Sequence, residues 1–165
     1  MGLRLAVIAL GVLLARGAAG ADPIYVARTA PFTHPDTMSP DIVGKCGLPE
    51  RQIDMLAAEA KVAGVDLVVS DEAVAAGKGR VLVIEIANAV DGADGYGGRQ
   101  VALFGRLLQD GAKIGSFYAR RTTNRGFWAG VPNACKALSS CQDALSKDIV
   151  PWLKNPTVGA RLGER

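Results

Sequence analysis

Asp110-Gly111 is the feature that most constrains how this chain folds. The dipeptide separates two runs, RQVALFGRLLQ and AKIGSFYARR, that are rich in aliphatic and aromatic side chains. Asp and Gly tolerate the positive φ angles of a tight two-residue turn, so the pair predicts a β-hairpin. Alternation along the two arms puts Leu103, Leu107 and Ile114 on one face and Phe104, Leu108 and Phe117 on the other. Apolar residues on both faces imply a sheet that is partly covered on both sides, with helices packed against it.

The rest of the chain supplies those partners. RVLVIEIANAV (80–90) reads as a strand with Leu82, Ile84 and Ile86 on one face, and VDLVVSD (65–71) as a shorter one. IYVART (24–29) is a first strand, followed by a tract in which Pro31, Pro35 and Pro40 exclude a continuous helix and predict a long ordered loop. Pro49 suits the first position of a helix, Ile53, Leu56, Ala57 and Ala60 recur at helical spacing, and Gly64 is placed to end it. Leu138, Cys141, Leu145, Ile149 and Trp152 form a second apolar stripe, predicting a helix capped at Asn133. The expected fold is α+β: one domain with an antiparallel or mixed sheet of four to five strands and two principal helices mainly on one face. Residues 155–165 read as a C-terminal tail.

The cysteines bear on that last helix. NACKALSSC (133–141) holds two of the three, six residues apart. If one helix runs through both, their Cα atoms lie about 9 Å apart, beyond the roughly 7 Å reach of a disulfide. Cys46 with Cys135 is then the expected bond, joining two helix starts, and Cys141 on the apolar stripe is a small buried side chain. A helix that begins at Ser140 instead leaves CKALSS as a turn and allows Cys135 with Cys141. Three cysteines also leave pairing between chains open.

MGLRLAVIALGVLLARGAAGA starts with Arg4, continues through an apolar run from Leu5 to Ala15 and ends in the small residues Ala19 and Ala21. This is the pattern of a signal peptide over 1–21 cleaved near Ala21, and the run is shorter than the roughly 18 residues of a membrane span. The remaining chain, 22–165, is expected in the periplasm or outside the cell, where disulfides persist. Arg4 and Arg16 leave with the signal, so 17 basic face 16 acidic side chains, net +1. Nucleic-acid binders carry a basic surplus, and this near balance argues against that role. No segment of the mature chain is apolar and long enough to span a bilayer.

Motifs for chemistry are sparse. His34, the single histidine, lies in the proline-rich tract without a nucleophile in any recognisable pattern, and reads as a surface residue. One His and three scattered Cys do not give zinc-ligand spacing. Asp91 and Asp94 in DGADGYGG offer weak calcium ligands, but the stretch lacks the EF-hand pattern and reads as a loop. Asp66 and Asp71 are a carboxylate pair of unspecified separation. GKGR (77–80) lacks the spacing of a phosphate loop. No cofactor is implied. ARRTTNRGFWAG (119–130) is the informative tract, because Tyr118, Phe127 and Trp128 interleave with Arg120, Arg121 and Arg125. Arginine and aromatic residues dominate interface hot spots, and arginine also grips anionic polymers.

The pattern SFYARR (116–121), NAC (133–135), Asp148-Ile149, Trp152-Leu153, Pro156 and Leu162-Gly163 resembles small uncharacterised secreted proteins of Gram-negative bacteria over residues 80–165. More distantly, the order of elements is similar to α+β domains of periplasmic lipoproteins, although no lipid-attachment cysteine follows the signal. The resemblance implies contact with envelope machinery and carries no catalytic residue. The expected function is a non-catalytic binding protein of the cell envelope with an envelope protein or anionic polymer as partner. The alternatives are a hydrolase without a linear motif and a calcium-responsive module.

Overall fold

The computed structural model describes residues 22–92, 98–123 and 131–163, with side chains at all of these except 131–133. The expected signal segment lies outside the described residues.

Among the described residues, six strands form one mixed sheet: β1 (Ile24–Val26), β2 (Leu67–Val69), β3 (Arg80–Val90), β4 (Arg99–Gln109), β5 (Ala112–Thr123) and β6 (Ala160–Gly163). Their spatial order is β2-β1-β3-β4-β5-β6. The β3-β4-β5 meander is antiparallel, and the outer strands join it in parallel. The sheet exceeds the expected four to five strands because the segment expected to be a tail supplies β6.

The predicted hairpin forms at Asp110 (φ 50°) and Gly111 (φ 82°). Its register departs from simple alternation. Gln109 faces Ala112 and Leu108 faces Lys113, but Leu107 faces Gly115, so Ile114 is an extra residue in β5. A bulge of one residue inverts which side chains of the strand point to each face. Phe117 therefore joins Leu103 and Leu107 in the core instead of sharing a face with Phe104, and Ile114 is exposed. The bulge also suits Phe117 to its cross-strand partner Gly105: a Cβ at 105 would run into the Phe117 ring.

Among the described residues, four α-helices accompany the sheet: α1 (Pro40–Lys45), α2 (Leu48–Val62), α3 (Asp71–Ala76) and α4 (Val131–Lys154). The proline tract is thus not wholly a loop, since Pro40 starts the short α1 at a position where its missing N–H costs nothing. α2 and α4 pack on each other, and α4 lies along β4 and β5. They bury Leu48, Ile53, Leu56 and Ala60 from α2 and Leu138, Cys141, Leu145, Ile149 and Trp152 from α4, each large aliphatic worth about 1.5–3 kcal/mol. Trp152 meets Phe117 edge-on, with ring centroids 4.8 Å apart.

α4 runs through Cys135 and Cys141 without a break, beginning at Val131 rather than after an Asn133 cap. Cys46 and Cys135 are disulfide-bonded, with Cα atoms 5.0 Å apart. Cys141 is buried, its Sγ 3.7 Å from the carbonyl oxygen of Arg99. Between α2 and α4 runs a buried polar seam. Gln52 donates to Ser146 Oγ (3.2 Å), Ser146 donates to the Gln142 carbonyl (2.9 Å), and Gln142 donates to the Leu48 carbonyl (2.8 Å).

Candidate functional site

Strand register assembles one row of side chains across four strands. Glu85 on β3 faces Phe104 on β4, Phe104 faces Tyr118 on β5, and Tyr118 faces Arg161 on β6. Their neighbours Ile84, Ile86, Leu103, Phe117 and Ala119 are buried beneath the helices. Alternation therefore sends the row to the opposite face. The short α3 reaches only the β1 side of that face, where Val74 and Val83 line a small apolar hollow.

The row lines a groove of about 390 Å³ together with Arg106 and Ser116. Phe104 is 45% exposed, unusual for so large an apolar side chain on a sheet. Its ring centroid lies 5.3 Å from that of Tyr118 at an interplanar angle of 51°. The Arg161 guanidinium sits over the other aromatic ring, 5.0 Å from the Tyr118 centroid. Arg106 reaches Glu85 Oε1 at 3.7 Å.

Arg161 arrives here through the chain's last turn. Trp152 Nε1 donates to the Thr157 carbonyl, the Ser116 amide donates to the same carbonyl, and Ser116 Oγ accepts from the Gly159 amide at 3.0 Å. Those bonds hold 157–159 against β5, so the chain continues as β6 in parallel register.

Of the residues expected at a contact surface, Tyr118 lies in the row and Arg120 one step further along the same face, opposite Ala102 and Gly163. Arg121 points to the helical side, where it makes two 2.7 Å bonds to the Asp148 carboxylate on α4. Arg125, Phe127 and Trp128 lie outside the described residues. Phe104, Arg106, Glu85 and Arg161 were not anticipated. The first two stand at alternate positions of one strand, a signal present in RQVALFGRLLQ, whereas Arg161 carries none.

The arrangement offers an aromatic platform edged by guanidinium groups, suited to binding. No nucleophile and base meet among the groove residues described: Ser116 Oγ is occupied by Gly159, and His34 sits in the loop before the Pro35–Thr37 turn, its carbonyl accepting from Thr37. Asp71 is bonded to Arg28. Asp94 lies outside the described residues, and among those described no group of three His, Cys, Asp or Glu is placed to hold a metal ion. Among the same residues no helix is long and apolar enough to cross a membrane.

No protein-family model matches the chain, and no curated protein matches it in sequence. Three solved structures are similar to it. A Xanthomonas campestris protein assigned to DUF330 is 14% identical over 79% of this chain and 82% of that one, with a TM-score of 0.51. PelC from Paraburkholderia phytofirmans, solved as a dodecamer, is 18% identical over 78% of this chain and 89% of that one, with a TM-score of 0.44. A point variant of that dodecamer gives 19% identity, 80% and 87% coverage, and a TM-score of 0.47. The likeness to the Xanthomonas protein is one of fold, and at that level it agrees with the expected resemblance to uncharacterised proteins of Gram-negative bacteria.

Proposed function

We propose that this chain is an exported, non-catalytic binding protein of the bacterial cell envelope that works through the open face of its sheet. The observation that carries the reading is the Glu85–Phe104–Tyr118–Arg161 row, which leaves Phe104 exposed and Tyr118 half-buried beside arginines on the face away from α2 and α4. Exposed aromatic and arginine side chains held on rigid strands are the usual anchors of recognition surfaces. Export is supported by the Cys46–Cys135 disulfide, a bond that persists in oxidising compartments. Arg120 belongs to the same surface. Arg121 serves instead to hold α4 to β5.

Capture of the tagged protein from crosslinked envelope extract tests this, with the bound material analysed for protein and carbohydrate. The parent and an Arg51→Gln control on α2 should retain a discrete partner, and Phe104→Ala with Arg161→Gln should lose it while remaining folded at zero urea and unfolding in a single transition. Absence of any partner, or capture indifferent to the double substitution, overturns the reading.

A further inference from the structure

The charges on the open face are not balanced. Arg106 is matched by Glu85, but among the described residues neither Arg120 nor Arg161 pairs with a carboxylate. Arg161 is held by the Tyr118 ring, a contact that occupies none of its N–H donors. A guanidinium fixed in this way keeps its planar fork available for two parallel bonds to a carboxylate. Beside it stands Phe104, which presents an apolar surface with no polar atom of its own.

The ligand that fits both features carries carboxylates at intervals and apolar C–H faces between them. The row is also long. Three steps between neighbouring strands of about 4.8 Å each set its ends roughly 14 Å apart, which suits an extended oligomer better than a small anion. An acidic peptide is a poorer match. Extended peptides gain affinity by pairing their backbone with a free sheet edge, and the aromatic platform stands on β4 and β5, each hydrogen-bonded to a strand on both sides. A ring-shaped ligand that recognises side chains alone needs no such edge.

We infer that the groove binds an acidic polysaccharide, with uronate rings lying against Phe104 and Tyr118 and their carboxylates paired to Arg161 and Arg120. The inference rests on the binding-protein reading above and names its ligand class. The carboxylates approach from solvent, so binding weakens as salt screens the charges.

Calorimetric titration of the oxidised protein with a galacturonate oligosaccharide tests it, beside a neutral maltooligosaccharide, polyglutamate and polyuridylate. Galacturonate should bind, the neutral sugar should not, and rising salt should weaken the complex. Phe104→Ala and Arg161→Gln should each weaken it by roughly tenfold, and Arg161→Lys, which keeps charge but loses the fork, should fall between. The inference is overturned if galacturonate fails to bind, if these substitutions leave its affinity unchanged, or if polyglutamate or polyuridylate binds as tightly. Failure with galacturonate alongside groove-dependent capture from envelope extract rejects the glycan and leaves the binding-protein reading standing. Loss of groove-dependent capture rejects that reading itself.

Discussion

The Arg161 guanidinium lies 5.0 Å from the centroid of the Tyr118 ring, joining β6 to β5 on the open face of the sheet. Exposed cation–π contacts contribute about 0.5–1 kcal/mol. Arg161→Gln should therefore lower stability by that amount in urea denaturation. Tyr118→Phe, which keeps the ring, should leave it nearly unchanged, and Tyr118→Ser should match or exceed the arginine substitution. Equal effects of the Phe and Ser substitutions would show that the ring contact contributes nothing.

The Cys46–Cys135 bond joins residues 89 apart in sequence. Closing so long a loop restricts the unfolded chain, and replacement of both cysteines by Ala should cost about 2–4 kcal/mol. Peptide mapping without reductant should recover the 46–135 pair and a Cys141 thiol. A 135–141 pair would contradict the continuous α4.

Gly105 leaves room for its cross-strand partner, since a Cβ there would meet the Phe117 ring. Gly105→Ala should destabilise the protein by about 1–3 kcal/mol, the usual cost of overfilling a packed core. Adding Phe117→Leu should recover part of the loss, as two coupled neighbours do in a double-mutant cycle.

The turn at Asp110 should leave a mark at acid pH. Its carboxylate accepts from the Gln109 side chain and from the Gly79 amide, and both bonds hold its pKa below the ordinary 3.8. A carboxyl whose folded value is depressed contributes stability above its unfolded value, and that contribution disappears as pH falls through the folded value. Urea midpoints should drop more steeply below about pH 4 in the parent than in Asp110→Asn. Superimposable acid limbs would remove Asp110 from the account.

The parts of this fold that were legible are those written locally. Asp110-Gly111 specifies its turn by backbone preference alone, and α2 and α4 carry apolar stripes long enough to impose a period. α3 was missed although Ser70 caps it and Gly77 ends it, because six residues are too few to show a period. β6 was missed because ARLG (160–163) has no strand signature, and its pairing with β5 follows from the bonds that Thr157 and Gly159 make to Ser116. The site suffered accordingly. Tyr118 and Arg120 stand out within their own tract, whereas Arg161 comes beside them only through that non-local strand, and simple alternation gives Phe104 the wrong company by one residue of register.

That one residue, Ile114, is absorbed by the bulge. Exposed turns commonly tolerate insertions and deletions because little depends on them. Here the loss of Ile114 would leave Leu107 opposite Gly115, Gly105 opposite Phe117 and Phe104 opposite Tyr118, so plain alternation would still hold Phe117 in the core and Tyr118 and Arg120 on the open face. β6, which takes its register from β5, would keep its place as well. A gap at this one surface position is therefore silent for the face as a whole, and two chains that differ there by one residue would present the same surface.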